Sequence, residues 1–196
     1  MSPLILASKS AARREMLTGA GVPFEVRVAD VDEDAVKAGF DPADAAALAE
    51  ALARVKAVAV SRTEPGAWVL GGDQTLAFDG GLVSKAPDLA AAGARLSSMR
   101  GKVHHLHSGA ALARDGRVVW SGVDTAEMHV RKFSDAFLDA YLDIEGEALL
   151  ACVGAYRLEG LGAQLFERIE GDYFTVLGLP LWAVLDQLRR HGVIGA

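Results

Sequence analysis

Two long strand-like runs, Val103–Ala113, interrupted by three histidines, and Val118–Val130, which alternates apolar and polar residues, flank Arg114-Asp115-Gly116. A period of two is that of a strand with one face buried, and Asp-Gly between two such runs signals a tight hairpin turn. A ribbon this long cannot stand alone, and it reads as the spine of a curved mixed sheet. Shorter runs supply further strands: Leu4–Ala7, Phe24–Val28, Trp68–Leu70 and Gln164–Ile169. Asp79-Gly80-Gly81 makes Leu76–Val83 a second hairpin.

Helices are marked by their caps. Ser10 opens Ala11–Ala20, which closes before Gly21. Asp41-Pro42 opens a long helix to about Val60, with Leu48, Leu52, Val55 and Ala59 on its inner face. Asp88 opens a helix through Met99, and Ser134 one through Asp143. Gly178-Leu179-Pro180 precedes a final helix that stops near Gly192.

The 196 residues suffice for one domain with a substantial core. A net charge of −6 and a pI near 5.3 argue against a broad nucleic-acid footprint. The single cysteine, Cys152, rules out an intrachain disulfide and a Cys-rich metal site, which suits a reducing compartment. No apolar run reaches the roughly 18 residues of a membrane span, and the N-terminal residues lack the pattern of a signal peptide. The expectation is a cytoplasmic protein without membrane or stable nucleic-acid partners.

Two stretches suggest chemistry. After Leu4–Ala7, the loop Ser8-Lys9-Ser10 leads into a helix N-terminus, whose free N–H groups and positive dipole end attract anions. Arg13 and Arg14 lie in that first turn, where cations oppose the dipole unless an anion is near; solvated surface arginines are the plainer reading. After Trp68–Leu70 come Gly71-Gly72-Asp73, which place a carboxylate at a strand end, where α/β proteins gather ligands. The same three residues also spell a plain turn. The hairpin returns Lys85 towards Asp73. The acids of Asp30–Asp34 read as a solvated loop or as a source of one carboxylate for a hard cation. His105 and His107 share a strand face, but two donors fall short of a catalytic zinc site, and exposed strand histidines are the preferred reading.

Taken in order, several motifs resemble the Maf family of nucleoside triphosphate pyrophosphatases. They are Leu6-Ala7-Ser8-Lys9-Ser10 with Arg13-Arg14, Asp30-Val31-Asp32-Glu33, Leu70-Gly71-Gly72-Asp73, and Lys85 with Pro87. Then come Ser108-Gly109, Gly154-Ala155-Tyr156 with Glu159-Gly160, and Ile169–Tyr173 with Val176–Leu181. The resemblance implies an α/β fold similar to that of Ham1-type inosine triphosphate pyrophosphatases. In it a curved mixed β-sheet is flanked by helices, as one domain over residues 1–196 with two lobes around a deep cleft, commonly a homodimer. It implies hydrolysis of a nucleoside triphosphate to monophosphate and pyrophosphate with Mg²⁺ or Mn²⁺. It also implies roles. Asp73 is the catalytic base, with Lys85 and Glu33 beside it. Ser8, Ser10, Arg13, Arg14 and Lys56 bind the phosphates, and Asp73 and Glu33 hold the metal.

Three positions bear on substrate. Ala12 stands where known branches carry an Arg or a Trp, Gln74 replaces a Thr, and Glu159 replaces a Gln. The last two resemble the branch that acts on 7-methyl-GTP. A carboxylate at Glu159 can accept from a guanine N1–H and amine and favours a cationic ring. A dTTP/UTP-preferring pyrophosphatase is the alternative within the family. A non-catalytic regulator of cell division and septum formation is the alternative outside enzymology.

Overall fold

The computed structural model describes residues 4–28, 30–41 and 43–195. One mixed sheet runs through them in the order β2-β1-β3-β5-β6-β7, with β4 beside β3. β1 (Leu4–Ala7) pairs in parallel with β2 (Glu25–Val26) and with β3 (Trp68–Phe78). All other pairings are antiparallel: β4 (Gly81–Val83) on β3, β5 (Val103–Arg114) on β3, β6 (Arg117–Val130) on β5, and β7 (Phe166–Glu170) on β6. The β5–β6 ribbon is the expected spine. Its turn has positive φ at Asp115 (50°) and Gly116 (75°). That is the backbone of a turn that follows the strand twist.

Helices cover both faces. Along β3, Leu70 and Leu76 face one side. Leu70 joins a core under α1 (Ala11–Gly19) and α7 (Leu181–Arg190). Leu76 joins a second core under α4 (Leu89–Met99) and α5 (Asp135–Glu145). Val69, on the opposite face, packs under α3 (Ala45–Ser61). No helix among the described residues is long and apolar enough to cross a membrane.

The α3 contact is built from small residues. Ala49, Ala53 and Ala57 are completely buried. A Cβ at Gly71 would run into the Ala53 carbonyl and come within 2.7 Å of the Ala57 amide nitrogen. A Cβ at Gly109 would meet the backbone of Ala49 and Glu50. Glycine in a strand interior often marks such a close backbone approach.

Several expectations change. Gly71-Gly72-Asp73 is neither a turn nor a strand end: β3 continues for eleven residues through it, because these glycines make room for packing. Asp44, not Asp41, caps α3, its carboxylate accepting from the Ala47 N–H at 3.2 Å; Pro42 lies outside the described residues. The inner face of α3 includes Ala57, whereas Val55 is exposed. Asp30–Asp34 is not simply a loop, since Asp32 caps a short helix, α2 (Glu33–Lys37). The stretch at Gly171-Asp172-Tyr173 turns into another short helix, α6 (Tyr173–Leu177), capped by Asp172.

One buried pair matters for stability. His104 is 1% exposed and its Nε2 lies 2.6 Å from the Tyr156 hydroxyl, itself buried. Burial, helped by the nearby His105, pushes the imidazole down to about 4. An unfolded histidine titrates near 6.5. On acidification the unfolded chain therefore takes up the proton first. The neutral ring's contribution is complete above about pH 6.5 and is lost as pH falls towards 4, by up to about 3 kcal/mol. The melting temperature is expected to fall between about pH 6.5 and 5 and to fall less in His104→Gln. Equal slopes in the two proteins would reject the assignment.

Candidate active site

Asp73 lies in the middle of β3, yet at a special level of the sheet. β1 ends at Ala7, whose partner is Gly71. Asp73 is two residues further on, just past the carboxyl end of the parallel pair, where the next segment of chain is the Ser8 loop. Open α/β sheets place their ligands outside the carboxyl ends of parallel strands, and here that rule operates through β1 rather than β3.

The pleat sends Asp73 to the α3 face, together with Thr75. The Thr75 Oγ1 donates to the Ala45 carbonyl at 2.7 Å. Lys56 of α3 meets Asp73, with Nζ 2.5 Å from Oδ1. The same Nζ lies 2.8 Å from Glu33 Oε1, at the first position of α2. Lys56 and Asp73 are largely buried, with side chains 13% and 14% exposed. Burial pushes the Glu33 carboxyl up. The hydrogen bond from Lys56 and the charges of Lys56, Lys37 and Lys85 outweigh it and hold the group below its ordinary value.

The loop after β1 is equally organised. Ser10 Oγ accepts from the Arg13 N–H at 3.3 Å and caps α1. Ser8 Oγ accepts from the Ser10 N–H at 3.2 Å and from Arg13 Nη1 at 3.0 Å. Arg13 is no surface residue. It is 8% exposed, and its Nε donates to the Gly178 carbonyl at 2.7 Å. Burial lowers its pKa against the opposing pull of Asp73 and Glu33, which supply its nearest negative field; a guanidinium stays charged regardless. Arg14, by contrast, is exposed. Lys85 is exposed too, and its charge reaches Glu33.

Ser8, Ser10 and Arg13 thus form one hydrogen-bonded group and Glu33, Lys56 and Asp73 another, with Arg13 feeling the charge of both carboxylates and Lys85 acting by charge on Glu33. The three cations exceed the two carboxylates, which leaves a positive field for an anion beside a helix N-terminus. Glu33 and Asp73 fit a divalent cation. Both reach one ammonium group, and each keeps its second oxygen without a protein partner among the described residues. Hard cations take such oxygens. Another trio of donors, Glu127, His129 and Glu170, converges on β6 and β7. Arg168 already occupies it, 2.8 Å from Glu170 and 3.1 Å from His129 Nε2.

The three substrate-related positions separate. Ala12 and Glu159 line one groove of about 570 Å³ with Tyr173, Phe174, Leu177 and Trp182. Gln74 does not line it. On the face opposite Asp73, its Nε2 lies 3.1 Å from Ser108 Oγ and 3.1 and 3.0 Å from the Thr175 and Val176 carbonyls, tying β3 to α6. The Gly178 contact to Arg13 and the Asp172 cap of α6 are not among the sequence expectations. Asp172 before an apolar run is the available signal for that helix.

With this arrangement in view, the comparisons with known proteins are direct. The Maf-like protein family matches residues 3–191. The chain belongs to the Maf family. It is 53% identical over 196 residues to a nucleoside triphosphate pyrophosphatase of Caulobacter vibrioides, covering 99% of this chain and 98% of that one. It is 48% identical over 202 residues to a 7-methyl-GTP pyrophosphatase of Rhizobium meliloti, each chain covered completely. A HAM1 protein from Coxiella burnetii shows a TM-score of 0.42 at 14% identity over 66% of this chain and 73% of that one, a likeness too loose to bear on the fold. In this member of the family Asp73 and the loop after β1 lie just past the carboxyl end of a parallel strand pair, with Lys56 bound to Asp73 and Arg13 to Ser8.

Proposed function

We propose that this Maf-family protein hydrolyses a nucleoside triphosphate between its α and β phosphates, releasing a monophosphate and pyrophosphate. The observation that carries the proposal is the meeting of Lys56, Asp73 and Glu33 next to the Ser8–Arg13 loop. The names of the full-length relatives agree with it.

The chemistry follows from charge. A triphosphate is a polyanion, and catalysis of its hydrolysis is largely positioning and electrostatic stabilisation. Arg13, held on Ser8 and Gly178, presents a fixed guanidinium at the α1 N-terminus. Lys85 is exposed, and its flexible four-carbon stem lets the ammonium follow the charge of the leaving pyrophosphate. Asp73 acts as general base towards the attacking water, while Lys56 keeps its Oδ1 in place. A divalent cation held by Glu33 and Asp73 neutralises phosphate charge when bound.

The same reading includes a homodimer, a cytoplasmic location, and residues 1–196 acting as one two-lobed domain. It takes a modified purine such as 7-methyl-GTP as the preferred substrate, because Glu159 edges the groove beside the phosphate loop. Purified protein with Mg²⁺ or Mn²⁺ is expected to release pyrophosphate from 7-methyl-GTP faster than from dTTP or UTP. EDTA should abolish release and excess Mg²⁺ restore it. No pyrophosphate from any triphosphate would overturn the activity, and faster turnover of dTTP or UTP would overturn the substrate.

A further inference from the structure

The groove between α1 and α7 carries an unusual combination. Its walls are aromatic and aliphatic, and among the described residues its charged lining consists of two acids, Glu15 and Glu159. It starts at Ala12, between the capping Ser10 and the buried Arg13, so it opens directly off the cation-rich phosphate loop. A molecule lying along both regions would meet positive charge at one end and negative charge at the other.

Trp182 is the feature that stands out. It is 63% exposed, and Tyr173 beside it is 47% exposed. Such exposure is unusual for so large an apolar side chain. The indole is not loose. Its Nε1 donates to Asp172 Oδ2 at 2.8 Å, while Oδ1 of the same carboxylate accepts from the Phe174 N–H at 2.9 Å. Phe174 meets the indole edge-on at 5.4 Å, with 78° between the rings. An exposed indole held on two sides is pre-organised for a flat ligand.

Resting on the proposed activity and its 7-methyl-GTP substrate, we infer that Trp182 is the stacking partner of the substrate base and discriminates its cationic ring from neutral bases. The indole face attracts a cationic ring through its quadrupole, more strongly than a neutral one. Glu15 and Glu159 add negative charge at the rim, and Arg157 meets Glu159 at Oε1, 3.4 Å away, so that Oε2, which has no partner among the described residues, can accept from the base edge. Trp182 thereby supplies, from α7, the aromatic surface that Ala12 lacks.

The test compares wild type, Trp182→Ala and Trp182→Phe on 7-methyl-GTP, GTP and dTTP, with melting temperature as a fold check. Trp182→Ala is expected to raise KM for 7-methyl-GTP about tenfold, within the range of a desolvated cation–π contact, with kcat within about twofold. GTP and dTTP should change far less, and Trp182→Phe should recover most of the loss. Binding is read separately, by calorimetric titration of 7-methyl-GMP, with Kd expected to weaken about tenfold in Trp182→Ala and to return close to wild type in Trp182→Phe. An equal KM change for every triphosphate, or none, would overturn the inference, as would an unchanged Kd for 7-methyl-GMP in Trp182→Ala. Binding of 7-methyl-GMP that weakens in Trp182→Ala, in a protein that hydrolyses no triphosphate, would reject the proposed activity and leave the role of Trp182 in binding standing.

Discussion

Asp73→Asn is expected to lower pyrophosphate release by about 10²- to 10⁴-fold, the range for loss of a general base. The amide is nearly isosteric, and its oxygen can still accept from Lys56, which keeps Glu33 at 2.8 Å as its second partner. The ammonium is therefore not stranded without a counter-ion, and the melting temperature should move by only a few degrees. A folded Asp73→Asn protein with turnover within about threefold of wild type would sink the assignment of Asp73 as base. The variant also separates the enzyme from a regulatory role in division: an effect on septation that outlives the loss of turnover would belong to a different surface.

The second large effect is structural. Gly109→Ala places a methyl group against the backbone of Ala49 and Glu50. Helix backbone cannot rotate aside as a side-chain tip can. α3 must move, and overpacking of this kind costs about 1–3 kcal/mol or more. For a chain of this size that is about 2–12 °C in Tm. Because Gly109 is the cross-strand partner of Asp73 and α3 carries Lys56, activity should fall together with stability. Gly81→Ala is the control, since a Cβ there meets nothing within 4 Å and its φ is not positive. A Gly109→Ala protein as stable as Gly81→Ala would show that α3 does not rest on this strand as described.

These two residues also show how far the sequence can be read. The β5–β6 ribbon, the caps at Ser10, Asp88 and Ser134, and the loop after β1 follow local rules of period and capping, and each forms where expected. Asp73 is legible as a residue of interest but not in its setting. Gly71 and Gly72 obey a turn rule and a close-packing rule equally well, and only distant elements decide between them: α3, contributed by residues 45–61, against Gly71, and Arg13 with Leu179 against Gly72. Arg13 has the same ambiguity. Nothing near it in sequence indicates burial, because its anchor is Gly178, 165 positions away. The inner face of α3 reads one step off because alanine gives little hydrophobic contrast, so Val55 draws the pattern away from Ala57. Trp182 falls outside every local pattern, since its partners lie at α6 and its groove on α1.

α6 spans only Tyr173–Leu177, yet its three parts serve different ends of the site. Its first turn shares the Asp172 carboxylate with Trp182. Its middle carbonyls accept from Gln74, and Gly178, just past its end, accepts from Arg13. In the proposed reading, this one short helix links the end that takes the base to the end that takes the phosphates. A substitution within these five residues will therefore shift affinity and turnover in the same protein, and kinetic dissection of recognition from chemistry has to be done from α3 on one side and α7 on the other.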